Sequence, residues 1–244
     1  MQNQYDPRMT GVNATATVGV PRAARDAGLR SYMLSVYNYM ASGVALTGVV
    51  ALTLAMTGVA ESIFFNGGIL RWVVIFAPLV MIMVMGAKMR TMSTGGMQAF
   101  FWAFAAVMGV SMSVIPLIYD GTSIAQTFFA TAVAFLSLSV WGYTTKKDLS
   151  GFGTFLIMGV VGLIVVSIAN IFIRSDALSM VVSAVGVLLF AGLTAYDTQK
   201  IKSMYAYVQG TDMMGKTAIM GALTLYLDFI NMFQFLLSFM GNRD

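Results

Sequence analysis

The sequence predicts an all-α integral membrane protein, built as a bundle of seven transmembrane helices. Three observations support this fold class: 58% of the 244 residues are hydrophobic, only 10% are charged, and the mean hydropathy is +0.80. Soluble domains usually carry about 25% charged residues. The apolar surface is too large for one soluble core of this length, so we expect lipid to cover much of it.

The polar N-terminal stretch, residues 1–30, is predicted to be a flexible cytoplasmic tail. It lacks the short apolar core and cleavage site of a signal peptide. Its basic residues are Arg8, Arg22, Arg25 and Arg30. The rest of the chain, residues 31–241, is predicted to form a single transmembrane domain.

Seven apolar segments follow the tail, and each is near the roughly 20 residues that a helix needs to cross a bilayer. Backbone groups cannot stay unpaired in lipid, and these runs do not alternate as barrel strands do, so helices are expected. Pro78 and Pro116 fall inside the second and third segments and are expected to kink them. The connections are predicted to be short, apart from 199–218. The segments are 32–58, 69–88, 97–118, 124–143, 152–173, 178–198 and 219–240.

The basic residues predict the orientation, because lysine and arginine concentrate on the cytoplasmic side of membrane proteins. With the N-terminus inside, only Arg71, Arg174 and Arg243 of the 14 basic residues lie outside. Seven crossings then place the C-terminus on the outer side of the membrane. A re-entrant seventh segment would instead return the C-terminus to the cytoplasm. The net charge of +4 is interpreted as a topology signal, and no nucleic-acid partner is expected.

The chain contains neither cysteine nor histidine. This excludes disulfides, thiolate or imidazole metal sites, and catalysis by serine–histidine or cysteine–histidine pairs. We therefore expect no enzyme activity and no cofactor. Any response to pH must come from carboxylates, because the usual neutral-pH switch is missing.

Asp228 lies near the middle of the seventh segment. A charged aspartate at a helix centre costs about 2.5–3.5 kcal/mol on insertion, so such residues usually face the interior of a bundle. Thr224, Asn231 and Ser238 recur with it at helical spacings. The segment thus carries one polar stripe, which predicts a wet or polar interior.

Asp197 closes the sixth apolar segment, after Ser183, Gly186 and Thr194 on one side of the same helix. If that helix continues past the apolar run, Asp197 reaches the depth of Asp228. Two close carboxylates cannot both ionise cheaply, so the pair would share a proton. Two other interpretations stay open: a polar clamp between the two helices, or Asp197 as a cap paired with a nearby lysine, Lys200 or Lys202.

Arg90 ends the second segment, in "GAKMRTMS". It is either a cytoplasmic anchor of the positive-inside kind or a cation that reaches inward to the acid pair. The 21 methionines and 24 glycines are interpreted as flexible filling and close contacts within a helix bundle.

Two stretches, "AYDTQKIKSMY" at 195–205 and "LYLDFINMF" at 225–233, make the chain resemble the transmembrane Bax inhibitor motif family in its bacterial form. The resemblance covers roughly residues 30–241. It implies a central seventh helix wrapped by the other six. It also implies a pH-sensitive calcium leak in which Asp197 and Asp228 form a hydrogen-bonded dyad that Arg90 contacts in the closed form.

The favoured function is thus a calcium leak gated by protonation of the aspartate pair. Calcium prefers oxygen ligands, which Asp197 and Asp228 would offer to the passing ion, with Thr224 and Asn231 lining the pore. Its partners would be calcium ions, protons and membrane lipid. The second segment has no carboxylate, so no calcium ligand is expected there.

Two alternatives belong to other classes. In the first, the protein is a membrane regulator without transport that binds a membrane-bound ATP-dependent protease through its tail and the 199–218 connection. In the second, it is an intramembrane aspartyl protease. Such proteases are expected to carry glycine–x–glycine–aspartate, whereas Asp228 follows "YL", which disfavours that function.

Overall fold

The computed structural model describes the backbone of residues 22–242 and the side chains of residues 26–242. Within that part of the chain, seven helices are long and apolar enough to cross a membrane, which confirms the predicted fold class. An eighth helix, α2, has only seven residues. The helices are α1 (Arg22–Met56), α2 (Val59–Phe65), α3 (Leu70–Lys88), α4 (Thr94–Met112), α5 (Gly121–Thr144), α6 (Ser150–Ile173), α7 (Asp176–Val208) and α8 (Met213–Met240).

The described part of α1 already begins at Arg22, so the helix includes the last residues of the predicted tail. Residues 1–21 lie outside the described part of the chain, and so does the prediction that they are flexible. At the other end of the chain, Arg243 and Asp244 also lie outside it.

Side-chain caps fix the starts of three helices. The Gly96 N–H donates to Ser93 Oγ at the start of α4, at 3.1 Å, and the Ser123 N–H donates to Asp120 Oδ1 at the start of α5, at 2.8 Å. A third cap, Ser175, accepts from the N–H of Leu178 in α7. Each cap satisfies one of the free N–H groups that a helix leaves in its first turn.

The predicted long connection 199–218 is wrong. α7 continues to Val208 and α8 begins at Met213, so only four residues, 209–212, join the two helices. The charges of Lys200 and Lys202 lower the local hydropathy, but the helix persists because Ile201 and Tyr205 bury one face of it. The predicted kink at Pro116 is also wrong: α4 ends at Met112, and Pro116 lies in a single 3-10 turn, Ile115–Leu117.

α8, the seventh crossing, is the central helix. In its membrane-spanning window 61% of the residues are buried, against at most 33% in any other crossing of the described chain. It packs against α1, α4, α5 and α7. This confirms the central seventh helix, and it explains why Asp228, in the middle of α8, is buried in protein and does not face lipid.

The two ends of the bundle can be distinguished by their contacts. Gly28, near the start of α1, packs against the hydroxyl of Tyr205 near the end of α7, so α1 begins at the end where α7 and α8 are joined. We call this the basic end, because Lys146, Lys147, Lys200 and Lys202 lie there. The Asn242 N–H donates to Ser123 Oγ at the start of α5, which places the chain's last described residue at the opposite, C-terminal end. α8 therefore crosses the whole bundle without re-entering.

Candidate functional site

The structure brings Asp197 of α7 and Asp228 of α8 together. Their carboxyl groups lie within hydrogen-bonding distance of each other, and the two side chains are only 8% and 4% exposed. The meeting depends on the continuation of α7 beyond its apolar run, which holds Asp197 inside the helix rather than at its end. Asp197 is therefore not a cap.

Asp228 Oδ2 is buried, and no donor among the described residues hydrogen-bonds to it. A buried oxygen without a partner costs about 1–3 kcal/mol, and more when it is charged. A proton held between the two aspartates would turn their contact into an O–H···O bond. Either a shared proton or a bound cation would satisfy this carboxylate.

On the side that faces α5, the pair is bordered by uncharged polar groups and close backbone packing. Thr198, the residue after Asp197 in α7, forms a hydrogen bond of 3.0 Å with Ser139 of α5. One turn of α5 further on, a Cβ added to Gly142 would lie 2.3 Å from the carbonyl oxygen of Ala195. The absence of a side chain at Gly142 therefore lets α5 approach the backbone of α7 beside the site.

Lys200 is the described basic residue that acts electrostatically on the pair. It follows Asp197 by one helical turn and interacts with that carboxylate, while its side chain is exposed at the basic end and lies over the ring of Tyr196. Asp197 thus has a cation on its open side, whereas among the described residues the charged group that acts on Asp228 is Asp197. The two acids are not equivalent.

The rest of the motif at 195–205 ties α7 to its neighbours. The Gln199 side chain donates to the Lys147 carbonyl at 2.7 Å and accepts from the Leu149 N–H at 2.9 Å. Lys202 Nζ donates to the Tyr143 carbonyl at 2.6 Å. These side chains fasten the α5–α6 connection to α7 directly beside Asp197. Gln199 was not among the predicted site residues, although an amide within a basic run is a signal for such backbone contacts.

Tyr226 is a second polar contact of α8 that the sequence analysis missed. It is fully buried, and its hydroxyl lies 2.7 Å from Thr47 Oγ1 of α1, which donates in turn to the Ala105 carbonyl of α4 at 2.8 Å. The chain of bonds joins three helices two residues before Asp228. A buried tyrosine hydroxyl usually has a hydrogen-bond partner. The partner here, Thr47, is far away in the sequence, and no sequence motif marks it as the partner.

Thr224 and Asn231 flank Asp228 on α8 and are half-buried. Thr224 Oγ1 donates to the Met220 carbonyl at 3.1 Å, and the Asn231 amide donates to the Leu227 carbonyl at 2.8 Å. Both side chains are therefore satisfied within their own helix, and both keep acceptor oxygens available. Their role in lining a pore stays a prediction.

Arg90 lies in the exposed turn after α3, and α3 packs against α4 and α2. Among the described residues, the charged groups that act on the aspartate pair are the two carboxyls and Lys200, and Arg90 is not one of them. In this conformation Arg90 thus makes no recorded contact with the pair. The predicted latch therefore stays a prediction, and it concerns a different conformation.

Asp148, at the basic end, contrasts with the buried pair. Hydrogen bonds from the side chain and backbone of Ser150 hold the pKa of Asp148 below its ordinary value. This exposed carboxylate therefore stays ionised at neutral and mildly acidic pH, and it supplies a control position for the buried acids.

Comparison with known sequences identifies the family. A family model described as "inhibitor of apoptosis-promoting Bax1" matches residues 29–244, which include both aspartates and all of the described crossings except the first residues of α1. The chain belongs to this Bax inhibitor family. The match confirms the resemblance and the part of the chain, roughly residues 30–241, that it was predicted to cover.

Bacterial members of the Bax inhibitor family are similar over nearly their whole length. An uncharacterized protein of Rickettsia prowazekii is 44% identical over 96% of this chain and 99% of its own. One from Caulobacter vibrioides is 47% identical over 90% and 92%. The inner membrane protein YbhL of Escherichia coli is 42% identical over 89% and 94%.

Proposed function

We propose that this Bax inhibitor family protein is a proton-controlled calcium leak of the bacterial inner membrane. The observation that carries the proposal is the buried pair of Asp197 and Asp228 on the central helix and its neighbour, with an oxygen of Asp228 that receives no hydrogen bond from the described residues. Intramembrane acids of this kind mark ion pathways and proton relays.

The pair has two states with opposite consequences. With a shared proton, the carboxyls bond to each other and hold α7 against α8 at this depth. Without it, two negative charges face each other in a site of low dielectric, where they repel and attract a cation. Protonation would favour the closed arrangement and deprotonation the open one, so a charge change biases a bistable pair of helices.

The composition of the site suits a passing ion. Calcium takes six to eight oxygen ligands when it is held tightly. Within the described part of the chain, no three histidine, cysteine or acidic side chains lie close enough to hold a metal, so two carboxylates with Thr224 and Asn231 nearby offer a weak site. Weak binding is what conduction requires, because the ion must also leave.

The orientation in this proposal places the basic end in the cytoplasm. Eleven of the 14 basic residues fall on that side when the N-terminus is inside, in agreement with the positive-inside rule. The name of the Escherichia coli relative, an inner membrane protein, supports the same membrane. Calcium would then enter from the C-terminal end and pass the aspartates before reaching the cytoplasm.

Calcium uptake by proteoliposomes tests the proposal. Purified protein is reconstituted around a calcium-sensitive dye, and uptake is followed between about pH 5 and about pH 8, with empty liposomes as the control. We expect uptake that rises as the pH is raised through the titration of the pair. Uptake equal to that of empty liposomes at every pH would reject transport and favour the non-transporting regulator of a membrane-bound protease.

A further inference from the structure

A second polar site lies nearer to the C-terminal end, in a cleft between α6, α7 and α8. The cleft has a volume of about 280 Å³. Val182 and the ring of Phe235 form its apolar walls. Its polar lining consists of Ser167, Asn170, Ser179, Ser183, Gln234 and Ser238.

The side chain of Gln234 indicates that water reaches this cleft. Its amide is exposed and makes no hydrogen bond to any described residue, although it lies inside the membrane-spanning helix α8. An amide left unsatisfied in lipid costs several kcal/mol. A polar, roomy cleft that holds water removes this cost.

The cleft and the aspartate pair lie along the same α7–α8 interface, with two aromatic rings between them. Phe190 is seven residues before Asp197, and Phe235 is seven residues after Asp228, which places both rings about 10 Å from the acids. The rings stack at 5.8 Å between centroids, with an interplanar angle of 22°. Beyond them, a hydrogen bond of 3.1 Å joins Ser183 to Ser238 in the cleft.

The ring of Phe235 packs into the space that Gly186 of α7, which has no side chain, leaves at the α7–α8 interface. A Cβ added to Gly186 would lie 2.5 Å from this ring, so the ring occupies the space that a side chain at Gly186 would take. Phe235 also lines the cleft. Truncating it would leave a gap between the two helices at the point where the cleft ends.

We propose that the cleft is a water-filled vestibule for a hydrated cation, and that the stacked rings of Phe190 and Phe235 close it off from the aspartate pair. The assignment of a cation as the ligand rests on the proposed leak function. Hydroxyl and amide oxygens supply the vestibule with neutral ligands for a hydrated ion. Apolar constrictions of this kind exclude water and ions until the side chains move, so the two rings form a second barrier, independent of the proton on the acids.

Thiol accessibility tests the barrier without relying on transport, because the chain has no cysteine of its own. A single cysteine is placed in the vestibule (Ser238→Cys) or between the rings and the acids (Asn231→Cys). A membrane-impermeant, positively charged methanethiosulfonate reagent is supplied on both faces of proteoliposomes. We expect Ser238→Cys to react quickly and Asn231→Cys slowly.

Removing a ring should then expose the inner position. Adding Phe235→Ala to Asn231→Cys should raise its reaction rate by about tenfold or more, the change that about 1.4 kcal/mol on the barrier produces. Adding Phe239→Ala, at an exposed phenylalanine one turn further on, should leave the rate unchanged. Phe190→Ala removes the other ring of the stack and should have the same effect. It replaces Phe235→Ala in the test if the Phe235→Ala protein does not fold.

Calcium uptake supplies the link to function. Phe235→Ala should raise uptake by about tenfold and keep the wild-type pH midpoint, because the acids are untouched. If wild-type protein shows no uptake but the thiol rates behave as expected, the rings are a barrier and the leak function fails. If Asn231→Cys reacts equally fast with and without the rings, or if Ser238→Cys does not react, the vestibule and its barrier are both rejected.

Discussion

The position of Arg90 in this structure differs from the position that its proposed role as a latch requires. It is exposed in the turn after α3, whereas a latch on the aspartates needs it at the centre of the bundle. If the latch forms in the closed state, Arg90→Ala should increase calcium uptake at acidic pH and flatten the pH response. Lys88→Ala, two residues earlier and also exposed, should leave both unchanged. Equal uptake curves for wild type, Arg90→Ala and Lys88→Ala would reduce Arg90 to a cytoplasmic anchor.

Asp120 offers a pH-dependent prediction about stability. Hydrogen bonds from the side chain and backbone of Ser123 hold its pKa below the ordinary value of 3.8. The ionised cap therefore stabilises the fold above that value, and this contribution is lost as the pH falls through the lower folded-state pKa. Asp120→Ala should lower the melting temperature in detergent at neutral pH, and the difference from wild type should shrink below pH 3.8. A difference that is the same at both pH values would show that the charge of the cap is irrelevant.

At the scale of helices, the contact between α5 and α7 decides how firmly the site is held. A Cβ on Gly142 would meet the Ala195 carbonyl at 2.3 Å, whereas a Cβ on Gly162, within α6, meets nothing within 4 Å. Gly142→Ala must push the helices apart and should destabilise the protein by about 1–3 kcal/mol. Gly162→Ala should be neutral or stabilising by up to about 1 kcal/mol, because alanine is the better helix former. Thermal unfolding in detergent measures both, and equal melting temperatures would contradict the close approach.

The helices also show what hydropathy can predict. Runs of about 20 apolar residues predict all seven crossings, and one acid in each of two apolar segments predicts the meeting of Asp197 and Asp228. Hydropathy does not predict that α7 continues through Lys200 and Lys202, because a helix can extend beyond the apolar core when one face, here Ile201 and Tyr205, stays buried.

Contacts between distant parts of the chain are beyond the reach of local patterns. The bond between Thr47 and Tyr226 spans 179 positions, and the short helix α2 lies within a stretch that is too short and too mixed to stand out. The position of Arg90 depends on where the helix ends and the turn begins, which composition does not set.

At the scale of the whole molecule, the contacts at the two ends require an odd number of crossings. The start of α1 and the α7–α8 turn share one end, and Asn242 lies at the other, beside Ser123. With the basic end in the cytoplasm, a fluorescent protein that folds only there should give no signal when fused after Asp244 and a strong signal when fused before Met1. A bright C-terminal fusion with a dark N-terminal one would reverse the proposed orientation.

The central claim is that one proton shared by Asp197 and Asp228 sets the gate, and calcium uptake by aspartate variants tests it most directly. Asp197→Asn and Asp228→Asn keep the shape of the pair and remove one charge, so each should shift the pH midpoint of uptake. The double variant should change it little more than one single variant, because the two residues act as a unit. Asp148→Asn, at an exposed acid of the basic end, should keep the wild-type midpoint. If both single variants keep the wild-type midpoint and rate, the pair is a structural clamp between α7 and α8, and the account of the gate is wrong.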